Sequence, residues 1–358
     1  MNSKIPQTDA ICGWANEQLK RSSTRLFEVE ELLGDASTRS YFRLRTESES
    51  WIVMVLADRK GAYVSEEQGA HLSDELPYAA MTRFLRTHNW PVPQMHAFDE
   101  ERGWLLLEDF GDRALQDIVE EADDAAIDEC YRQAVELIFQ LQSSVHDALT
   151  DEVPAAHLRN DQATLLWEFR HYIEYGLGTA IGNTIEAQHE DFLLRRFAEL
   201  SEEIANAGYV LAHRDYHSRN IMVRPTGALG IIDFQDAFLA SATYDLASLL
   251  LDSYVDLGWD RIDSLVAHFH ALVVDEGLFS GSLEPFRRLF DIQGIQRNLK
   301  AAGRFVYIDK VKGSARYLDA IPHTLENVRI NLGRHDDLRD IGEVLAQYEP
   351  MLRGGEDR

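Results

Sequence analysis

Two short runs carry residues able to do chemistry: His-Arg-Asp-Tyr-His-Ser-Arg-Asn at 213–220 and Asp-Phe-Gln-Asp at 233–236. Asp215 supplies a carboxylate that can accept a proton from a hydroxyl. Asn220, five residues on, offers an amide oxygen, and Asp233, thirteen further, a second carboxylate. Amide and carboxylate oxygens are hard ligands suited to Mg²⁺. A proton acceptor accompanied by two such ligands suits phosphoryl transfer, which asks a protein mainly to position reactants and neutralise charge. Any one of these residues alone reads as a loop cap or a solvated turn. The three in this order do not.

The flanking residues predict how the groups are held. Residues 208–212 (Gly-Tyr-Val-Leu-Ala) read as a short buried strand leading into the His-Arg-Asp loop, and 221–224 (Ile-Met-Val-Arg) as a second strand. Pro225-Thr-Gly-Ala is turn chemistry, and 229–232 (Leu-Gly-Ile-Ile) is a third strand ending at Asp233. A loop and a hairpin are thus expected to gather Asp215, Asn220 and Asp233 at one end of a small sheet.

These motifs resemble the catalytic core of the protein-kinase-like superfamily, in its aminoglycoside and choline phosphotransferase branch. Asp-Phe-Gln-Asp in place of Asp-Phe-Gly points to small-molecule kinases. The run 231–238 (Ile-Ile-Asp-Phe-Gln-Asp-Ala-Phe), with 243–254 (Thr-Tyr-Asp-Leu-Ala-Ser-Leu-Leu-Leu-Asp-Ser-Tyr), is similar to bacterial kinases acting on the anomeric hydroxyl of N-acetylmuramate and N-acetylglucosamine. The resemblance covers residues 32 to 254 and extends more weakly beyond. It implies an α+β, bilobal protein-kinase-like fold: a small antiparallel-sheet lobe over 1–107, a hinge near 107–111, and a larger, mainly helical lobe over 108–358. It also implies ATP and Mg²⁺ as cofactors, Asp215 as catalytic acceptor of the hydroxyl proton, Asn220 and Asp233 as metal ligands, and Asp245 as a brace for the catalytic loop. The resemblance implies an amino sugar drawn from peptidoglycan recycling, with a product that would feed nucleotide-sugar synthesis. The alternatives are a phosphotransferase of the aminoglycoside or choline type with another acceptor, and a nucleotide-binding pseudokinase.

Composition accords with a folded enzyme. The 358 residues suffice for two lobes, and 45% hydrophobic with 10% aromatic residues is a globular composition. No apolar run approaches the roughly 18 residues that span a bilayer, and the first residues hold no apolar signal region. The two cysteines, Cys12 and Cys130, offer neither a disulfide framework nor a metal site and read as small buried filler. The cytoplasm is the expected compartment. A net charge of −26 repels nucleic acid and anionic membranes, so the expected partner is a small-molecule amino sugar, with no protein partner implied.

The N-terminal part supplies the nucleotide candidates. Residues 11–19 read as an amphipathic helix with Ile11, Trp14, Ala15 and Leu19 on one face. Between strands at 27–33 and 40–45 lies Gly34-Asp35-Ala36-Ser37-Thr38-Arg39, a small-residue turn whose backbone N–H groups can approach phosphates, with Arg39 or Arg43 at hand. The strand 51–56 carries Met54 where the family usually has a phosphate-binding Lys. Met54 therefore reads as an adenine-pocket or core residue, and the missing positive charge falls to Arg39, Arg43 or metal. Residues 72–88 form a helix whose Asp74 or Glu75 stands at the family's glutamate position. Backbone groups of Glu108 and Phe110 at the hinge would bond adenine.

The remainder reads as helical, with helices at 128–141, 165–174, 186–206, 243–254 and 293–300. Trp167 is suited to stack on a sugar face. Glu168, Arg170 and His171 are suited to bind hydroxyls or a carboxylate, and Asp236 to bind substrate or a second metal. Arg297 and Asn298 are candidates for the acceptor cleft, and Arg170, Arg297 and Arg304 for an acceptor carboxylate. For each of these an ordinary place on a surface or in a core is the competing reading.

Overall fold

The computed structural model describes residues 5–19, 28–32, 39–56, 75–177, 182 and 184–353. Chain contacts divide into two compact units, one of Met1–Arg113 with Met222–Asp236, the other of Ala114–Ile221 with Ala237–Arg358.

The first unit is built on a five-stranded antiparallel sheet. Its strands β1 (Glu28–Leu32), β2 (Arg39–Arg45), β3 (Ser50–Leu56), β4 (Met95–Asp99) and β5 (Trp104–Glu108) lie in the order β1-β2-β3-β5-β4. Alternation along the strands puts Leu44, Trp51, Val53, Trp104 and Leu106 on one face. Helix α1 (Ile5–Gln18) covers that face with Ile11, Trp14 and Ala15. Trp14 meets Trp104 edge to face, centroids 5.8 Å apart, a favoured aromatic geometry. Helix α2 runs Pro77–Thr87 and buries Tyr78, Ala79, Met81 and Leu85. It opens later than the expected 72 because Pro77 occupies the first turn, where a missing N–H costs nothing; residues 72–74 lie outside the described set. Both cysteines are half-buried rather than core filler.

The segment 222–236 joins this unit through specific bonds. Strands β7 (Ile221–Val223) and β8 (Leu229–Ile231) form a two-stranded hairpin. Val223 N donates to Arg113 O at 2.7 Å and Ile231 N to Pro91 O at 2.7 Å. Gly230 lies flat on the Phe110 ring, where a Cβ would come within 2.5 Å of ring carbons. Arg224 stacks over the same ring, 4.7 Å from its centroid, and bonds Glu108 Oε1 at 2.6 Å.

The second unit is mainly helical: α3 (Leu115–Glu121), α4 (Asp124–Gln140), α5 (Gln162–Tyr172), α6 (Ala187–Ala205), α7 (Tyr244–Leu250), α8 (Trp259–Asp275), α9 (Leu283–Lys312), α10 (Ile321–Gly333) and α11 (Arg339–Tyr348). Strands β6 (Val210–Ala212) and β9 (Phe238–Ala240) pair beside them. Asp123 and Asp161 cap α4 and α5 by accepting from Ala126 N and Thr164 N. Each of these helices runs on into a π-helical turn, at 141–145 and 173–177. The core joins α5, α6, α9, α10 and α11, with Phe169 stacked on Phe197 at 4.1 Å.

Helix α9 is thirty residues long, and sequence reading found only 293–300 of it. It is buried nearly all round in its middle, from Phe290 to Gln296, so no apolar stripe marks it. Gly303 lets α9 touch α5, since a Cβ there would sit 2.9 Å from Tyr172 Cα. Helix α7 ends at Leu250 instead of reaching Tyr254, because the Asp252 carboxylate accepts from Tyr254 N at 3.0 Å and turns the chain. Among the described residues no helix is long and apolar enough to cross a membrane.

Candidate active site

The loop after β6 is held from beneath by two carboxylates. Asp245, fully buried in the first turn of α7, accepts from His213 N at 2.6 Å and Arg214 N at 3.0 Å. Burial pushes its carboxyl up to about 6, against the pull of His213 N–H, Arg297 and Arg214 N–H. Asp252 accepts from Ser218 N at 2.8 Å. Arg214 takes a left-handed backbone, φ 84°, to turn between these anchors, a conformation that costs a non-glycine residue energy and collects at functional sites. Tyr216 reaches down to Ala134 O at 3.0 Å.

Asp215 is placed on this braced loop. Burial would raise its carboxyl, but Arg214, Lys300, Arg297 and His217 outweigh burial and hold it at about 2. It is therefore an anion at neutral pH. Asn220 donates from its amide nitrogen to Asp215 O at 2.8 Å, so its amide oxygen is the atom suited to accept or to ligate. Arg219 does not face the reacting groups: it bonds Gln116 Oε1 at 2.7 Å and stacks 3.5 Å over Tyr254, anchoring the loop.

Asp233 lies in the sheet unit, directly after β8, with a left-handed φ of 64°. Its carboxylate is 44% exposed and accepts from Arg39 at 3.2 Å and Gln235 Nε2 at 3.0 Å. Gln235 also bonds Asp236 at 2.6 Å, and Arg39 stands 4.0 Å from Asp236. Burial lowers the Arg39 guanidinium less than Tyr41, Asp233 and Asp236 raise it, so its charge is secure. Arg43 is otherwise engaged: nearly buried, it holds Asp109 at 2.8 Å, Gly111 O at 3.0 Å and Asp112. It is a brace of residues 109–112, and Arg39 is the strand arginine left beside Asp233.

Gly34, Asp35, Ala36, Ser37 and Thr38 lie outside the described residues, as does Asp74. Glu75 pairs with Arg83 at 2.5 Å ahead of α2. Met54 is wholly buried in β3, opposite Tyr41 and Leu105. Glu108 spends its N–H on Gln94 O at 2.8 Å and its carboxylate on Arg224 and Gln94 N. Phe110 is buried against Gly230.

Among the acceptor candidates, Glu168 and Arg297 share one buried polar network with Lys300. Glu168, 1% exposed, pairs with Lys300 and accepts from Gln296 Nε2 at 2.5 Å. Gln296 accepts from Gln293, which accepts from Ser241 at 2.7 Å. Lys300 stands 3.4 Å from Tyr244 OH, and Arg297 stacks 4.3 Å over the Tyr244 ring. Trp167, 51% exposed, and His171 begin an aromatic row that continues to Tyr175 and Tyr307. Arg170 is exposed at the end of α5. Asn298 is buried against α10, bonding Thr324 O. A surface groove of about 1020 Å³ walled by α4 and α8 contains none of these residues.

Sequence reading missed Asp252, Glu168's partner Lys300, and Arg43's acidic partners. Asp252 lay inside the helix expected over 243–254, which hid its role; the structure ends that helix at Leu250. The Lys300 pairing spans 132 residues of chain and left no local signal.

A five-stranded antiparallel sheet and a helical unit carrying a braced His-Arg-Asp loop define a protein-kinase-like phosphotransferase. Residues 28–275 match the model of the phosphotransferase enzyme family, and the chain belongs to that family. It is 31% identical over 322 residues to an N-acetylmuramate/N-acetylglucosamine kinase of Pseudomonas putida, covering 89% of this chain and 88% of that one. A Pseudomonas aeruginosa protein of the same name is 27% identical, with 87% and 86% covered. A choline kinase structure from Cryptosporidium parvum superposes with a TM-score of 0.61 at 12% identity, covering 97% of this chain and all of that one. At that identity the likeness concerns the fold alone.

Proposed function

We propose that this protein is an ATP-dependent, cytoplasmic kinase that phosphorylates the anomeric hydroxyl of an amino sugar, N-acetylmuramate or N-acetylglucosamine, in peptidoglycan recycling. The reading rests on one observation above all: a loop braced by Asp245 through His213 N and Arg214 N, presenting Asp215 among Arg214, Lys300 and Arg297. The names of the relatives supply the sugar. The same cations count against choline or an aminoglycoside, whose positive charge they would repel.

In the proposed reaction Asp215 accepts the sugar hydroxyl's hydrogen bond. The sugar oxygen attacks the γ-phosphorus, the bond from that phosphorus to the β-phosphate bridging oxygen breaks, and ADP leaves. With its carboxyl near 2, Asp215 orients the hydroxyl early and takes its proton late, as suits a loose transition state.

A divalent cation fits the donor chemistry. The amide oxygen of Asn220 and the half-exposed Asp233 carboxylate are hard oxygen ligands. No cluster of three or more His, Cys, Asp or Glu residues with metal-holding geometry occurs among the described residues. That suits an ion such as Mg²⁺, which takes few protein ligands and completes its shell with water and nucleotide phosphate. When bound it would neutralise developing phosphate charge.

The sheet unit takes the nucleotide in this proposal, with Gly34–Thr38 and Arg39 at the phosphates and Met54, Glu108 and Phe110 near the adenine. Trp167, Glu168, Arg170, His171, Asp236 and Arg297 are assigned to the acceptor. Turnover of Mg²⁺-ATP with N-acetylmuramate, N-acetylglucosamine, choline and kanamycin tests the reading, with ³¹P NMR locating the new phosphate. Sugar-dependent ADP release and an anomeric phosphate support it. Turnover of choline or kanamycin alone refutes it.

A further inference from the structure

Three arginines are candidates for meeting a negative group on the acceptor, and their surroundings separate them. Arg170 is exposed on α5. Arg304 is exposed over the Tyr307 ring, 5.2 Å from its centroid. Arg297 is built in. Its Nη2 donates to Ser248 Oγ at 2.7 Å and its plane lies 4.3 Å over Tyr244. Its Nη1 is buried and has no hydrogen-bond partner among the described residues.

A buried N–H of a charged group left unpaired is costly, and a guanidinium with one edge fixed presents its other edge to a carboxylate in a defined direction. Lys300 stands one turn along the same face of α9, held by Glu168 and Tyr244. Both cations converge on Tyr244, whose neighbour Asp245 carries the backbone of the loop that holds Asp215. The unmet guanidinium edge therefore belongs to the same locality as the reacting carboxylate.

We propose that Arg297 is a specificity-determining residue that pairs with a carboxylate substituent of the acceptor, braced by Ser248 and Tyr244 and with Lys300 beside it, so that an acid amino sugar is preferred to a neutral one. The proposal rests on the sugar-kinase reading above. It assigns the preference to one side chain and to the acceptor's charge.

The test compares kcat/KM for an amino sugar bearing a carboxylate with that for its primary carboxamide, in the parent protein and in Arg297→Gln. A charge-assisted hydrogen bond corresponds to a preference of about 10- to 100-fold for the carboxylate. That preference should collapse towards parity in Arg297→Gln, survive in part in Arg297→Lys, and persist in Arg304→Gln. ATP binding by each variant reports folding, and Arg297→Lys and the parent comparison still decide if Arg297→Gln does not fold. Equal use of acid and amide by the parent overturns the proposal. So does a preference that persists undiminished in Arg297→Gln, or that is unchanged in Arg297→Lys where Gln cannot be studied. A uniform loss on both acceptors, with the ratio unchanged, overturns it too and marks Arg297 as a support for Asp215 alone. A parent that turns over no sugar refutes the underlying functional reading instead, a separate result.

Discussion

Two groups of charge, one in each unit, are arranged in opposite ways. In the helical unit a carboxylate, Asp215, sits among the cations Arg214, Lys300 and Arg297, with His217 beside them. In the sheet unit the cations sit among carboxylates: Arg39 beside Asp233 and Asp236, Arg43 beside Asp109 and Asp112. The first arrangement keeps an anion available for a hydroxyl. The second holds basic groups ready near acidic ones in a chain of net charge −26, where stray cations are scarce. The sheet unit's pairs also differ from each other. Arg43 and Asp109 are each 4% exposed, while Asp233 is 44% exposed. Burial separates a pair that holds structure from one that can exchange partners.

Removing the Asp215 carboxylate should have the largest effect. Asp215→Asn is expected to lower kcat by about 10²- to 10⁴-fold, the usual contribution of a positioned base, with ATP affinity within a few fold of the parent. An ADP-release assay beside ATP titration checks this, and near-normal turnover would break the contrast between the units. Next come the two arginines. Arg43→Ala strands the buried Asp109 and is expected to cost about 3–5 kcal/mol by denaturant unfolding. Arg39→Ala should unfold near the parent midpoint yet raise the KM for ATP. Equal stability losses would erase the distinction drawn from burial.

A subtler prediction concerns pH. Asp245, raised to about 6 from an ordinary 3.8, favours the fold fully below about pH 4 and loses that contribution as pH rises through 6. Asp215, lowered to about 2, contributes above pH 4 and loses it as pH falls through 2. Thermal midpoints of the parent should therefore fall relative to Asp245→Asn between pH 4 and 7; a gap that stays constant would refute the assignment. The smallest effect is expected at Trp167. Half-exposed, its replacement by Ala should change stability by less than about 0.5 kcal/mol, and only the sugar KM should respond.

The loop carrying Asp215 and the short strands β6, β7 and β8 were legible because their information is local, whereas β9, which pairs with β6 in a sheet separate from β7 and β8, was not read. Turn residues, short apolar runs and fixed offsets place Asp215, Asn220 and Asp233 on the page. Much of the packing was not. Helix α9 hides its period because its middle is buried on every side. Arg43 looked like a phosphate ligand because Asp109 and Asp112, its partners, are 66 and 69 residues away in sequence. Helix α7 was overdrawn because Asp252 turns the chain through a side-chain bond that competes with the helix. The acceptor residues occupied an intermediate position. Glu168 and Arg297 were visible as candidates, but only the pairing of Glu168 with Lys300 and the stacking of Arg297 on Tyr244 distinguish them from surface charge.

Among the described residues only Asn89, Arg214 and Asp233 take a left-handed backbone without being glycine. Arg214 adjoins Asp215, and Asp233 is itself one of the residues proposed for the chemistry. A library that offered glycine at all three would therefore diverge under two selections. Screening for heat resistance would enrich glycine at 89, where the turn relaxes and no reacting group is lost. Screening for turnover should retain Arg214 and Asp233 against the easier backbone if, as proposed, the strained bonds there aim reacting groups.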